Sequence, residues 1–319
     1  MRVLKFGGKS LNSKEKALNI CNYIKHLYKK DNQLIIVVSA IGDTTDQLIQ
    51  TATNYGYNKK SDIELARLLS TGEIQSASLL SIMLISMGLP AKSLSGKDIS
   101  ISTFGDYLNS KISYIDKTKL LNIINTGTIA IVAGFQGVNK NNETTTLGRG
   151  GSDTTAVAIA SLFDIPVEIY SDYNGIFSGD PKFNNYKKLN NLDYNFAISM
   201  AKSGAKVLDK RAISIAKKYK INIHAKSSSS PFLKGSLVSN IESDSITICK
   251  TESLCKISII ISNTNKLDKI IKDVLNILKN YVFYNFEYNN DLIQFLIEEK
   301  NKLTIYDILS KKLNLLKTN

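Results

Sequence analysis

Three glycines crowd around one arginine in Thr144–Ala160, TTTLGRGGSDTTAVAIA, and an aspartate stands four residues past that arginine. Arg149 offers a planar, permanently charged fork suited to a carboxylate or a phosphate. Gly148, Gly150 and Gly151 let backbone approach a ligand closely, because no Cβ intervenes. Ser152 is expected to cap the helix opened by the apolar run Ala156–Phe163, leaving its first amides and positive dipole end for an anion. Taken alone, the stretch also admits a blander reading, a serine-capped glycine turn with a surface arginine.

Further segments carry compatible chemistry. Lys5-Phe6-Gly7-Gly8-Lys9-Ser10 supplies a lysine and a second glycine turn, residues 39–46 (SAIGDTTD) supply hydroxyls, and residues 134–137 (GFQG) supply another bend. His26 falls in a predicted helix and His224 in a late strand, so no histidine or cysteine is at hand as a nucleophile. Such a set neutralises charge and positions reactants, which is what phosphoryl transfer asks of a protein. Carboxylates such as Asp153 suit the organisation of cationic groups or a magnesium ion. The pattern is not a Walker loop, because the glycine that should precede GKS at fixed spacing is missing.

The elements that must position these groups alternate between strand and helix. Arg2–Phe6 is a predicted strand running into the first glycine turn, a helix follows from Lys14 with Asn12 or Ser13 as cap, and residues 33–39 (QLIIVVS) read as a strand covered on both faces. A helical stretch over 62–87, strands at 91–94, 129–133 and 167–170, helices near 194–202 and 211–218, and a strand at 221–225 continue the alternation. A parallel sheet with helices on both sides is its natural closure. From about Ser245 the pattern changes to strand (255–262), helix (267–278), a hairpin (282–288 and 292–297) and helix (303–316), a split βαβ unit lacking its fourth strand.

The chain has 319 residues, 43% hydrophobic and 22% charged, with a net charge of +13 and a mean hydropathy of −0.08, composition typical of a globular domain. The excess is lysine scattered in pairs such as Lys29-Lys30 and Lys217-Lys218, without aromatic interleaving or zinc-finger spacing, so no nucleic-acid surface is expected. Three cysteines without a CxxC pair fit a reducing compartment and no structural metal. The amino terminus lacks a signal-peptide core and no apolar run reaches the ~18 residues of a membrane helix, so a cytoplasmic protein with no membrane partner is expected.

Seven segments, in order, resemble the aspartate kinases of the amino acid kinase superfamily. They are KFGGKS (5–10), VVSAIGDTTDQL (37–48), LLSTGEIQSA (68–77), AGFQG (133–137), TTTLGRGGSDTTA (144–156), SDYNGIFSGDPK (171–182) and SGAKVLDKRA (203–212). The resemblance covers roughly residues 1–240. It implies a three-layer αβα sandwich on a mainly parallel sheet over 1–240, with a small ferredoxin-like unit of ACT type, incomplete, over 245–319. It further implies transfer of the ATP γ-phosphate to the β-carboxylate of L-aspartate, with Mg2+, in a homodimer.

By match, Lys5 and Asp153 would be catalytic, Lys5 stabilising the phosphoryl group and Asp153 ordering Lys5 and the substrate. Ser39, Thr45, Glu73 and Arg149 would hold aspartate, Arg149 at its α-carboxylate and Glu73 at its ammonium group. Lys5, Gly7, Gly8, Ser10, Ser171, Asp172, Gly175, Phe177, Asp180, Lys182 and Lys206 would form the nucleotide site, and no protein metal ligand is assigned. The chain departs from the pattern at Lys9 (threonine in the family), Phe177 (tyrosine), Lys182 (arginine) and Asp209-Lys210 (a His-Pro pair). Phe177 keeps a stacking face without the hydroxyl, and Lys182 keeps the charge without the fork. The open sheet edge of the short tail is expected to pair with a second tail and to leave feedback inhibition weak.

Overall fold

In the computed structural model, which describes residues 1–177, 188–202, 208–240, 245–250, 254–261, 264–289 and 292–313, β1 (Arg2–Phe6) is flanked on both sides by parallel neighbours. Its alternate residues therefore serve two layers. Leu4 and Phe6 join Ile20, Ile24, Leu80 and Leu84 in one core. Lys5 points the other way, to an aspartate of a helix on the opposite face.

The chain continues through α1 (Lys14–Tyr28), β2 (Leu34–Val38), α2 (Thr44–Asn54), α3 (Asp62–Ser86), β3 (Ala91–Leu94), β4 (Ser102–Phe104), β5 (Lys111–Tyr114) and α4 (Lys117–Ile124). It then forms β6 (Ile129–Ala133), β7 (Gln136–Val138), β8 (Thr144–Thr146), α5 (Gly151–Phe163) and β9 (Val167–Ser171). Next come β10 (Ile176–Phe177), β11 (Lys188–Leu189), β12 (Asn191–Asp193), α6 (Tyr194–Lys202), α7 (Lys210–Tyr219) and β13 (Ile223–Ser227). The last elements are β14 (Ser236–Ser239), β15 (Ser245–Lys250), β16 (Leu254–Ile260), α8 (Leu267–Leu278), β17 (Phe283–Tyr288), β18 (Leu292–Glu298) and α9 (Lys302–Lys312).

Two compact units form, one from residues 1–174 and 215–235, the other from 175–214 and 236–319. This differs from a division near residue 240, because residues 175–214 group with the tail. In the first unit β13-β9-β1-β2-β6-β3 run parallel. Every residue of β2 and β6 is buried, as their unbroken apolar sequences require. Ser13 caps α1, accepting a hydrogen bond from the Lys16 amide. α3 is long and apolar enough to cross a membrane by length and composition, contrary to the reading of the sequence, but half of its most apolar stretch is buried inside the protein.

A four-stranded sheet, β5-β4-β7-β8, was not foreseen from the sequence. Its strands are three or four residues long, too short for a periodicity to register. It makes partners of two segments that stand apart as motifs in the sequence: in β7–β8 Gln136 pairs with Thr146 and Gly137 with Thr145. The Thr103 and Thr145 hydroxyls, 2.6 Å apart and buried, tie the hairpin to β4.

In the second unit β12 and β14 pair in parallel and β10 with β11 antiparallel. The antiparallel sheet β15-β16-β18-β17 packs Ile257, Ile259, Phe295 and Ile297 against Val274 and Leu278 of α8 and Ile305 and Leu309 of α9. The expected missing fourth strand is corrected here. β15 pairs with β16 over six residues and fills that place from ahead of the unit, not from behind α9. The open edge invoked for tail-to-tail pairing at that position is thus occupied within the chain.

Phe295 is 1% exposed at the centre of this cluster. Phe295→Ala is expected to lower stability by about 3–5 kcal/mol, read from denaturant unfolding followed by circular dichroism. A loss below ~1 kcal/mol would show that the cluster is not packed around that ring.

Candidate active site

β1, β2 and β6 end at one edge of the parallel sheet, and the loops that leave them are pressed together by glycines. A Cβ on Gly8 would stand 2.0 Å from the Ala40 carbonyl oxygen, and one on Gly134 would stand 2.8 Å from Ser152 Cβ. Neither position accepts a side chain without backbone movement. The Gly42 amide donates to the Gly8 carbonyl at 3.1 Å, and the Gly7 amide to the Tyr170 carbonyl at 3.2 Å. Gly148 and Gly150 take positive φ values of 69° and 73°, which turn the chain from β8 into α5.

Gly150, not Ser152, precedes the first helical residue of α5. Ser152 lies inside the first turn because the left-handed glycine already ends the loop, so the cap expected from the sequence is displaced by two residues.

The result is an open cleft of about 340 Å³ lined by Lys5, Gly8, Lys9, Ser39, Ala40, Gly42, Thr45, Glu73, Phe135 and residues 148–153. Lys5 Nζ stands 2.7 Å from Asp153 Oδ1, with the side chains 12% and 14% exposed. Arg149 is exposed at the cleft wall, while Glu73 of α3 is 3% exposed. Glu73 Oε1 accepts the Ala40 amide at 3.0 Å, and Oε2 is buried without a hydrogen-bond partner. Burial pushes the Glu73 carboxyl up from 4.5 to about 7, opposed by the Ala40 amide and by the positive charge of Lys5.

Of the residues singled out from the sequence, Lys5, Gly8, Ser39, Thr45, Glu73, Arg149 and Asp153 meet in this cleft. Gly7 lies beside it. Ser10 and Asp172 line a smaller cavity of about 240 Å³ with Lys16, Asn19, Ser228 and Ser229. Ser171 ends β9, next to Asp172. Gly175 and Phe177 belong to the second compact unit, and Asp180, Lys182 and Lys206 lie outside the described residues. Lys9 is exposed, with its ammonium 3.8 Å from Asp172.

Phe135 was missed. It sits at φ 69° between β6 and β7, its amide donating to the Thr155 hydroxyl at 3.2 Å, and its ring lines the cleft. The only sequence signal was the bend GFQG, which marks a turn but not which residue faces the ligand.

The arrangement juxtaposes a mostly buried lysine–carboxylate pair, an arginine fork, a buried carboxyl with an unused oxygen, and backbone of several glycines. Among the described residues no three histidine, cysteine, aspartate or glutamate side chains cluster as a metal cage. A model of the amino acid kinase family matches residues 1–227.

The chain belongs to the amino acid kinase family. A curated aspartokinase of Geobacillus stearothermophilus is 41% identical over 228 residues, 71% of this chain and 56% of that protein. One from Rickettsia felis is 35% identical over 308 residues, 94% of this chain and 74% of that protein. The chain spans about half the length of the first curated relatives it matches. The crystal structure of E. coli aspartokinase III in complex with aspartate and ADP superposes with a TM-score of 0.78 at 18% identity, over 98% of this chain and 100% of that one. That likeness establishes the fold, an αβα amino acid kinase sandwich with an ACT-like C-terminal region.

The buried carboxyl makes a pH-dependent prediction. Because the folded-state value of Glu73 is raised, its contribution favours folding fully below 4.5 and is lost as pH rises toward about 7. At about 1.4 kcal/mol per tenfold, the whole difference amounts to roughly 3 kcal/mol. Glu73→Gln is therefore expected to match the wild type near pH 5 and to exceed its stability by about 2–3 kcal/mol at pH 8. Denaturant midpoints across that range test this, and a constant difference would refute it.

Proposed function

We propose that this amino acid kinase is an aspartate kinase: an oxygen of the aspartate β-carboxylate attacks the γ-phosphorus of ATP, the bond to the β-phosphate oxygen breaks, and ADP and 4-phospho-L-aspartate result. The observation that carries the proposal is the Lys5–Asp153 pair at 2.7 Å within a cleft that also holds Arg149 and Glu73. The names of the curated relatives and the aspartate and ADP bound in the E. coli enzyme support the choice of substrates.

The acceptor explains the lack of a catalytic base. A carboxylate with an ordinary value near 4 is already ionised at neutral pH, so no proton has to leave before attack. What opposes the reaction is repulsion between that anion and the polyphosphate. Lys5 answers it by placing a positive charge beside the transferring group, held by Asp153, while the glycine backbone at residues 7 and 8 cradles the phosphates. Arg149 grips the α-carboxylate bidentately. The free oxygen of Glu73 accepts the substrate ammonium, which draws Glu73 into its charged form.

Mg2+ is assigned to the nucleotide. A site with one ion-paired carboxylate and no carboxylate cage suits an ion carried mainly by phosphate oxygens and water, which would neutralise charge on ATP. Ser10, Ser171, Asp172, Gly175, Phe177, Asp180, Lys182 and Lys206 are assigned to the nucleotide by their motif positions. The resemblance to the aspartate kinases supports the rest of this reading, an enzyme at the entry to lysine, threonine and methionine synthesis, in the cytoplasm, as a homodimer.

Lys5→Ala and Asp153→Ala are each expected to lower kcat on the order of 10²-fold or more with the circular dichroism spectrum unchanged. Near wild-type turnover in either folded variant would remove its assigned role. Arg149→Lys keeps the charge but loses the fork, so it should chiefly raise KM for aspartate. A raised KM for ATP with that for aspartate unchanged would move Arg149 to the nucleotide. An ADP-release assay across aspartate, glutamate and N-acetylglutamate tests the substrate, and preference for either of the latter two would refute the proposal.

A further inference from the structure

Among the described residues, three cationic side chains line the cleft, Lys5, Lys9 and Arg149. Lys5 is held by Asp153 at 2.7 Å, and Arg149 is assigned to the substrate α-carboxylate. Lys9 has no role yet. Its backbone is fixed on both sides: a Cβ on Gly8 has no room against the Ala40 carbonyl, and the Ser10 amide donates to the Gly7 carbonyl at 2.9 Å. Ser10 and Leu11 fill the inward space and are buried. The Lys9 side chain therefore reaches outward from a rigid base, 75% exposed, with its ammonium 3.8 Å from an Asp172 oxygen. A pair that open is longer than a hydrogen bond, holds its members weakly and is screened by salt.

We propose that Lys9 is a nucleotide-binding residue of this chain, its ammonium exchanging Asp172 for the terminal phosphates of ATP when the nucleotide enters. This deepens the proposed function and rests on its reading of the cleft as an ATP site. Electrostatics favours the exchange, because a polyphosphate offers several negative oxygens where Asp172 offers one carboxylate. Position selects the polyphosphate over aspartate as the anion. Lys9 lines the cleft, while Asp172 lines the smaller cavity with Ser10, whose buried hydroxyl has no partner. The pair thus stands where the two hollows adjoin. A ligand that extends from Lys5 toward Asp172 passes Lys9, whereas Thr45, Glu73 and Arg149, assigned to aspartate, come from other loops.

Isothermal titration calorimetry of ATP and of ADP against the full chain, without aspartate, tests it. Lys9→Met keeps the length of the side chain and removes the charge. It is expected to weaken both nucleotides on the order of 10-fold and to flatten the dependence of their affinity on sodium chloride. In turnover it should raise KM for ATP and leave that for aspartate unaltered. Lys9→Arg should restore the affinity. The melting temperature should not move, as it would if the pair were a clip between the ends of β1 and β9. Lys30→Met removes another exposed charge just past the far end of α1 and should have no effect, which separates contact from the general field of a chain of net charge +13. Wild-type nucleotide affinity in Lys9→Met would overturn the assignment, as would an equal loss in Lys30→Met or a fall in melting temperature alongside the loss. A wild type that binds neither nucleotide would overturn the reading of the cleft as an ATP site as well.

Discussion

The ion pair between Lys5 and Asp153 depends on almost every other feature of the first unit. A lysine in the middle of a parallel sheet is unfavourable unless its charge is met, because burial removes its hydration. Here the two layers of the sheet make the arrangement possible. Leu4 and Phe6 spend the other face of β1 on the core with α1 and α3, which commits Lys5 to the face where α5 begins. The carboxylate 2.7 Å away is supplied by the first turn of that helix. The glycines at 134, 150 and 151 are what bring that turn close enough. Larger residues at 134 and 151 would collide with Ser152, Phe135 or Leu147, and Gly150 takes a φ of 73° that L side chains rarely adopt.

Glu73 represents the opposite kind of burial. Its carboxyl has one hydrogen bond and one unused oxygen, a condition that a purely structural residue would avoid. The Ala40 amide that binds it belongs to the same loop as the Gly42 amide, which donates to the Gly8 carbonyl, so the carboxyl, this loop and the glycine turn are tied together. Burial of this carboxyl lowers stability as pH rises toward neutrality. Sites that discriminate by hydrogen bonding gain from such a group, because a ligand lacking the matching donor leaves it unpaired.

The α3 helix shows how composition misleads in two directions. Its apolar content meets the length and hydropathy of a membrane span, yet Leu65, Leu69, Leu80 and Leu84 are core residues. What remains exposed is Glu64, Arg67 and Thr71 in its first half and, from Ile74 onward, an uncharged stripe with Leu79, Ile82 and Ile85. The tail, by contrast, has its fourth strand position filled by β15. A strand already paired has no ladder groups left on that side to offer a partner.

The alternation of strand and helix was legible in the chain itself, because β2 and β6 are unbroken apolar runs, α1 is a periodic one and α3 is too long an apolar stretch for a strand. The sequence also determined the identity of most cleft residues, since Lys5, Glu73, Arg149 and Asp153 stand within distinctive motifs. Only the tertiary structure decided how those motifs combine. The pairing of residues 136–138 with 144–146 is made by strands of three residues, whose register comes from neighbours and not from their own pattern. The placement of β15 next to β16 and the capping of α5 by Gly150 were likewise closed to local reading. Each depends on which surfaces remain to be covered once the rest of the chain has packed. The same holds for Phe135 and for the raised titration of Glu73: burial is a property of the folded environment, and no spacing of residue types encodes it directly.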